Sequence, residues 1–282
     1  MKIREVIASF ALVAVAMMTT AAGCSSDKSD DNDNNKHQTT DKWAGLVNET
    51  KYDAKVNGNT VTYGSHTYTV TGTIGLDGQD VNGDGIVDTD DYQGNASATV
   101  SFSNIPSGYT EFEAVYSALL GKTIVGTVGM IPMAMEIYAR NEATGKKCIE
   151  LLCGTENATT MIRSLQSKFQ ATSANSDDPY IQRYLPAALL KGAKPDNAYA
   201  PSTPYTVEMT ASVNKPQSVT GGTDTFVYIL TSGGWDTAQR QVEIYQKTGS
   251  DLHTVYNCPS VYTQCKTIVG TWDGLNSRTM YY

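Results

Sequence analysis

The sequence is poor in the residues and motifs on which common enzyme and nucleic-acid chemistries depend. It contains three histidines in 282 residues, and basic residues (21) are fewer than acidic ones (29), which gives a formal net charge of -8. Binding to nucleic acid requires clustered Lys and Arg, so nucleic acid is not an expected partner. The complete phosphate-loop, zinc-protease and nucleophile-elbow motifs are absent as well. No catalytic residue is therefore predicted.

Long apolar runs are also missing after residue 23, so no membrane-spanning helix is predicted there. Residues 1–23 have the form of a secretion signal, with a basic start followed by an apolar stretch. The segment that follows reads Ala-Ala-Gly-Cys and ends at Cys24. It resembles a bacterial lipobox, and the resemblance implies that Cys24 is acylated and anchors the protein to a membrane. An ordinary signal peptide is the alternative.

Residues 24–42 contain no apolar side chain after the cysteine and are predicted to be a flexible acidic tether. Several aspartates crowd just behind the anchor, which resembles the export signal of surface lipoproteins in Bacteroidetes-type bacteria. This resemblance implies an outer-membrane protein on the cell surface. A plain soluble linker, with the protein on the periplasmic face, is the alternative.

The most informative segment is residues 80–91, in which oxygen-bearing groups recur at alternate positions. Ca²⁺ is held by oxygens at positions 1, 3, 5, 7, 9 and 12 of a twelve-residue loop, with glycine at position 6 for the sharp turn. Gly85 occupies position 6. The predicted ligands of one Ca²⁺ are Asp80, Asn82, Asp84, the carbonyl of Ile86, Asp88 and Asp91.

The string from Asp80 to Gly85, closed by Asp91 in place of glutamate, resembles the calcium loops of dockerin modules. A dockerin has two such loops, each leading into a helix. This chain has one, and the following residues alternate like a strand. The resemblance therefore implies the metal site and not a cohesin partner. A solvated turn without an ion is the alternative.

The periodicity of the chain predicts an α+β fold in three regions. Residues 43–108 read as antiparallel β with the calcium loop, 109–203 as helical, and 204–282 as an antiparallel β meander packed with the helices, with a small SH3-like barrel as one form. Residues 109–270 resemble uncharacterised lipoproteins of gut Bacteroidetes that are grouped as a domain of unknown function. That resemblance implies no activity.

Three details of the helical region can be tested directly. Thr110 and Glu113 are predicted to form a capping box at the start of the first helix. Pro132 is predicted to stand in the first turn of an almost wholly apolar, buried helix. A last helix is predicted from Asp178 to Gly192.

Four cysteines remain after Cys24. Cys148 and Cys153 are too far apart on a helix to form a bridge. Cys258 and Cys265 either close a small disulfide loop or stay as buried thiols. A catalytic pair of Cys148 or Cys153 with His253 is an alternative that no motif supports.

The resulting functional prediction is a calcium-binding, lipid-anchored outer-membrane or cell-surface protein with a binding or structural role. Its expected partners are the membrane, through the anchor, and a glycan or protein ligand. The 17 tyrosines suit either an exposed binding surface or β-sheet packing, and sheet packing explains most of them better. A hydrolase of glycan or peptide, and a surface-layer or fimbrial assembly component, are the alternatives. Asp236-Thr237-Ala238 resembles the short O-glycosylation signal of Bacteroidetes, which implies a glycan on Thr237.

Overall fold

The computed structural model describes residues 47–75, 80–169 and 182–268. Within these ranges the chain forms a mixed α+β fold, as predicted, with nine strands and four α-helices. The strands are β1 Ala54–Asn57, β2 Thr60–Tyr63, β3 His66–Thr71, β4 Ser97–Phe102, β5 Tyr205–Ala211, β6 Gln217–Val219, β7 Gly222–Leu230, β8 Gln239–Lys247 and β9 His253–Asn257. The helices are α1 Tyr109–Ala118, α2 Ile124–Arg140, α3 Glu142–Cys153 and α4 Thr155–Phe169. The predicted signal segment, Cys24 and the tether lie outside the described residues.

All nine strands belong to one antiparallel sheet, in the order β1-β2-β3-β4-β5-β7-β8-β9, with β6 paired to β7. The N-terminal and C-terminal β regions meet where β4 pairs with β5, from Ser97 opposite Thr210 to Phe102 opposite Tyr205. The helical region is inserted between these two central strands. β1 and β9 stand at the two ends of this order, where β1 pairs with β2 and β9 with β8. The sheet is therefore open, and the prediction of an SH3-like barrel is wrong. The meander continues sideways into the N-terminal strands instead of closing on itself.

The alternation of side chains in β5 shows why these segments form strands. Val207, Met209 and Ala211 are buried against the helices, and the intervening Thr206 and Glu208 are half-buried on the other face. Residues two apart point to the same face of a sheet, so one face becomes apolar. Val213 continues the apolar alternation of the sequence, but the strand ends at Ala211 and Val213 is exposed.

Helix α2 is the centre of the core, because every residue from Ile124 to Ala139 is buried. It lies close to the sheet at Gly129, where an added Cβ would approach the Val100 side chain to 2.5 Å. The prediction of a buried apolar helix is confirmed. The placement of Pro132 in the first turn is wrong, since the helix begins eight residues earlier. Burial of the whole helix outweighs the cost of about 3 kcal/mol for a proline in its interior.

Two further predictions about helix ends are wrong. The N-cap of α1 is Gly108, and the carboxylate of Glu49 accepts hydrogen bonds from the N–H groups of Tyr109 (3.1 Å) and Thr110 (2.8 Å). A distant glutamate thus replaces the capping box. The described part of the predicted last helix, residues 182–192, contains only a 3-10 turn at Ala187–Leu189. Pro186 precedes that turn and cannot donate a backbone hydrogen bond.

A buried carboxylate ties α1 to the sheet. Glu111 is 1% exposed and accepts hydrogen bonds from the Tyr68 hydroxyl (2.7 Å) and from the backbone N–H and hydroxyl of Ser107 (both 2.7 Å). His66 Nδ1 lies 2.8 Å from the same carboxylate. Burial and the Glu111 charge raise the pKa of Tyr68, so its hydroxyl stays protonated and donates.

Candidate functional site

The predicted calcium segment forms the connection between the adjacent strands β3 and β4. Asp80 stands at its start, and its carboxylate accepts hydrogen bonds from the backbone N–H groups of Gly83 (2.7 Å), Asp84 (3.1 Å) and Gly85 (2.8 Å). Gly83 and Gly85 have φ of +79° and +84°, where glycine is favoured because it lacks a Cβ. The sharp turn that the sequence predicted at Gly85 is present.

The alternate side chains repeat one local pattern. Asn82 accepts from the N–H of Asp84 (2.9 Å), Asp84 from Ile86 (2.8 Å) and Asp88 from Asp90 (2.8 Å). In each case a side-chain oxygen folds back onto the backbone two residues further on, as short polar side chains do in tight turns. This pattern holds Asn82, Asp84 and Asp88 against the backbone of the loop.

Asp91 closes the loop. It is 3% exposed, and its carboxylate accepts hydrogen bonds from the N–H groups of Val81 (2.8 Å), Asn82 (3.0 Å) and Asp88 (2.9 Å). The bond from Asp88, followed by those from Asn82 and Val81, lowers the pKa of Asp91 although burial opposes this. The carboxylate is therefore charged and holds the two ends of the loop together.

The donor set is chemically suited to Ca²⁺, since it consists of carboxylate, amide and carbonyl oxygens. Among the described residues, Asp84 and Asp88 each accept a single hydrogen bond, and an ionised carboxylate has about four lone-pair sites. Oxygens thus remain for a cation. In the described part of the chain, however, no three His, Cys, Asp or Glu side chains gather closely enough to form a metal centre. Metal binding by this loop stays a prediction.

The loop is fastened to the C-terminal half of the protein. Lys215 forms an ion pair with Asp90 (2.7 Å), and the Tyr92 hydroxyl donates to the Ser212 carbonyl (2.5 Å). Gly94 passes so close that an added Cβ would lie 3.2 Å from the Cα of Val213. The connection between β5 and β6 is therefore the neighbour of the loop.

The same connection forms one wall of a cleft of about 340 Å³ at the N-terminus of α2. Lys122 and the N-cap residue Thr123 lie at the helix end, and His253 from β9 lies beside them. Thr123 Oγ1 accepts from the N–H of Gly126 (2.9 Å). The cleft is lined by Lys122, Thr123, Ile124, Pro216, Thr223, Thr225, Ile244, Gln246, Asp251 and His253.

Sequence reasoning missed this cleft. The one available signal was the tripeptide Gly121-Lys122-Thr123 directly before an apolar helix. It lacks the earlier glycine of a phosphate loop, because residue 116 is a tyrosine. The walls come from five separate segments, and only the folded chain brings them together.

Comparison with known proteins gives one family. A family model described as a domain of unknown function, DUF6935, matches residues 104–269, which is more than half of the chain. The chain belongs to this family. No curated protein and no solved structure matches it. The DUF6935 domain contains the helices, strands β5–β9 and all residues of the cleft, whereas the loop at 80–91 precedes it.

The cysteines of the DUF6935 domain are free and buried. Burial raises the pKa of Cys148 and Cys153, and raises that of Cys258 and Cys265 to about 12. A thiol that stays protonated is a poor nucleophile. Burial and a raised pKa of Cys148 and Cys153 therefore give the thiol–imidazole alternative no support. The bridge between Cys258 and Cys265 is not formed in this structure.

His253 is 4% exposed, and its Nδ1 lies 3.3 Å from the Gly121 carbonyl. Burial lowers the pKa of His253, which favours the neutral ring at pH 7. Thr237 lies in the exposed connection between β7 and β8, where the Arg240 guanidinium donates to its hydroxyl and to its carbonyl (2.9 Å). The glycan implied for Thr237 stays a prediction.

The sheet face of the DUF6935 domain opposite the helices carries two neighbouring carboxylates. Asp224 on β7 lies opposite Tyr245, and Glu243 on β8 lies opposite Phe226. Burial raises the pKa of both carboxyls, and the Asp224 charge raises that of Glu243 further. One oxygen of Asp224 is buried without a hydrogen-bond partner among the described residues. This face combines half-buried aromatic rings, such as Phe226 and Tyr245, with two carboxyls whose pKa is raised.

Proposed function

We propose that the protein is a calcium-binding, lipid-anchored protein of the outer membrane or cell surface whose role is to bind a ligand. The observation that supports calcium binding best is the closed form of residues 80–91. Asp80 and Asp91 each hold three backbone N–H groups, and Asn82, Asp84 and Asp88 between them fold onto the loop backbone. Such a loop can receive a hard cation with small side-chain movements.

Calcium would act here as a structural ion. The loop joins β3 to β4 and contacts the segment before β6 through Asp90–Lys215. An ion in the loop would order a junction between both halves of the sheet. At 1 mM Ca²⁺ and an extracellular-type Kd near 10⁻⁴ M, binding stabilises the folded state by about 1.4 kcal/mol. That amount can fix a loop and cannot by itself fold a domain of this size.

Calorimetric titration of the full-length protein with Ca²⁺ tests the metal site. We expect one site, and we expect it to be lost in the double variant Asp80→Ala with Asp84→Ala. Asp53→Ala removes an exposed aspartate that precedes β1 and lies outside the loop, so it should leave the titration unchanged. A flat titration of the unmodified protein would end the calcium proposal.

The anchor rests on the lipobox resemblance at Cys24 alone, because that residue lies outside the described ranges. Among the described residues no helix is both long and apolar enough to cross a membrane. We expect the protein to partition into detergent and to carry acyl groups on Cys24 in a mass spectrum. Cys24→Ser should abolish both, and a soluble, unmodified protein would contradict the anchor. Surface labelling of whole cells separates the cell surface from the periplasmic face.

A glycan hydrolase is the second candidate function, and the pair Asp224 and Glu243 favours it. The two residues are diagonal neighbours on antiparallel strands, which places their Cα atoms roughly 7–8 Å apart with both side chains on one face. Inverting glycosidases hold their two carboxyls roughly 6.5–9.5 Å apart, one of them with a raised pKa. Glu243→Gln should abolish hydrolysis of a glycan mixture without loss of stability. No hydrolysis by the unmodified protein would leave binding as the function.

A further inference from the structure

The cleft at the N-terminus of α2 has the size and the lining of a small-molecule site. Its volume of about 340 Å³ is at the lower end of the roughly 300–1,000 Å³ typical of ligand pockets. Ile124, Ile244 and Pro216 supply apolar wall, and polar side chains converge from α2, β7, β8 and the residues before β9. None of the predicted calcium ligands lines it.

One end of the cleft favours a negative charge. The first N–H groups of an α-helix have no acceptor within the helix, and the aligned peptide dipoles add a partial positive charge. Helix α2 has 17 residues, and its N-cap Thr123 satisfies only the N–H of Gly126 among these first donors. Lys122 adds an ammonium group at the same point. Together these groups can hold a carboxylate or a phosphate.

An independent observation comes from Thr225 on the wall contributed by β7. Its side chain lines the cleft, the residue is only 4% exposed, and its hydroxyl has no hydrogen-bond partner in the described ranges. The hydroxyl is not among the fully buried, unpartnered polar atoms of the described residues, so it is accessible from the cleft, where water or a ligand can bond to it. Thr225 therefore offers a donor and acceptor to whatever occupies the cleft.

The remaining polar groups select for hydroxyls on the ligand. Thr223 lies two residues from Thr225 on the same strand and carries a second hydroxyl with no protein partner among the described residues. Gln246 uses its amide N–H in a bond to the Ser250 carbonyl (3.1 Å) and retains its amide oxygen as an acceptor. Hydroxyls and an amide oxygen suit sugar hydroxyls, which both donate and accept.

The carboxylate of Asp251 at the rim repels an anion and therefore weakens its binding. Its carboxylate lies 3.6 Å from Lys122 Nζ, and the two side chains are 74% and 44% exposed. This ion pair is weak because water screens both partners. An incoming anion thus competes with Asp251 for the Lys122 ammonium, and removal of the Asp251 charge should strengthen its binding.

We propose that this cleft binds an anionic sugar, with its carboxylate or phosphate at Lys122 and the start of α2 and its hydroxyls at Thr223, Thr225 and Gln246. The inference rests on the proposed binding role and names its ligand class. It does not rest on calcium. A sugar acid and a sugar phosphate share the required chemistry, so the test has to separate them.

Binding can be measured by calorimetry on the full-length protein with three probes that share one ring: glucose, glucuronate and glucose 6-phosphate. We expect at least one anionic sugar to bind and glucose to bind at least about tenfold more weakly, because it lacks the charge. The stronger of the two anionic probes identifies the source of the charge. Inorganic phosphate serves as a fourth probe, and equal binding of phosphate and both anionic sugars would overturn the sugar assignment.

Three variants connect binding to the cleft. Lys122→Met should weaken the anionic sugar about tenfold, and Thr225→Val, which keeps the shape, should weaken it several-fold. Asp251→Asn should strengthen it a few-fold. Lys147→Met removes an exposed lysine that does not line the cleft and is the matched control.

The outcomes separate this inference from the proposed function. No binding of either anionic sugar, or binding that all three cleft variants leave unchanged, overturns the anionic-sugar site. A Ca²⁺ titration of the same samples still tests the metal site by itself. Melting temperatures of the variants show whether a loss of binding comes from unfolding, and the gain expected for Asp251→Asn cannot arise from unfolding.

Discussion

Replacement of Glu111 by alanine should be among the most damaging single changes in the described core. The variant removes an acceptor that Tyr68, His66 and Ser107 share. His66 is 24% exposed and the Ser107 hydroxyl is on a half-buried residue, so both can turn to water. The Tyr68 hydroxyl and the Ser107 N–H are left without a partner inside the protein.

The expected magnitude follows from these two donors. Each unsatisfied buried donor costs about 1–3 kcal/mol, so the variant should lose roughly 4 kcal/mol of unfolding free energy. Removal of one partner from a buried charged pair typically costs about 3–5 kcal/mol, which agrees with this value. For a domain of this size, about 2–4 °C of melting temperature is lost per kcal/mol, which gives roughly 8–16 °C.

Thermal unfolding followed by circular dichroism measures this loss. Glu113→Ala is the matched control on the same helix, because Glu113 is exposed and accepts one hydrogen bond, from the Tyr109 hydroxyl (2.8 Å). It should change the unfolding free energy by about 0.5 kcal/mol or less. Equal melting temperatures for the two variants would refute the argument that Glu111 holds α1 to the sheet.

Three further outcomes are expected. Because the pKa of Asp91 is lowered in the folded state, the charged carboxylate stabilises the protein above its unfolded pKa, and this contribution disappears as the pH falls through the folded pKa. The difference in unfolding free energy between the unmodified protein and Asp91→Asn, measured with urea, should therefore narrow from pH 7 towards pH 3. Gly145→Ala places a Cβ 2.1 Å from the Cα of Tyr138 and should destabilise the protein by about 1–3 kcal/mol or more in urea, unlike Lys147→Ala. Iodoacetamide at pH 8 should label the buried thiols Cys258 and Cys265 only after denaturation, and this labelling should require no reductant.

Each of these outcomes has a clear contradiction. A stability gap for Asp91→Asn that is independent of pH would mean that its carboxyl has no special state in the folded protein. A Gly145→Ala variant as stable as its control would mean that α2 and α3 can separate at no cost. Failure to label Cys258 and Cys265 in denaturant without reductant, while Cys148 and Cys153 react, would demonstrate the disulfide that the spacing allows.

The sequence by itself determined those features that depend on neighbours along the chain. The β1–β2 hairpin with its tight turn at Gly58, where φ is +59°, follows from local turn chemistry, and so does the positive φ of Gly85. The alternation in β5 and the end of α3 at Gly154, where φ is +74°, are equally local. The extent of the DUF6935 domain also agrees closely with the predicted 109–270.

The tertiary structure decided everything that joins distant segments. Glu49 caps α1 from sixty residues away, and burial on all sides keeps Pro132 inside α2 against its local preference. The pairing of β4 with β5 turns two predicted β regions into one open sheet. The cleft arises in the same way, because Lys122 and Thr225 are about a hundred residues apart and meet only when α2 packs on the sheet. Local propensities are short-ranged, whereas burial and packing act between whichever surfaces the fold brings into contact.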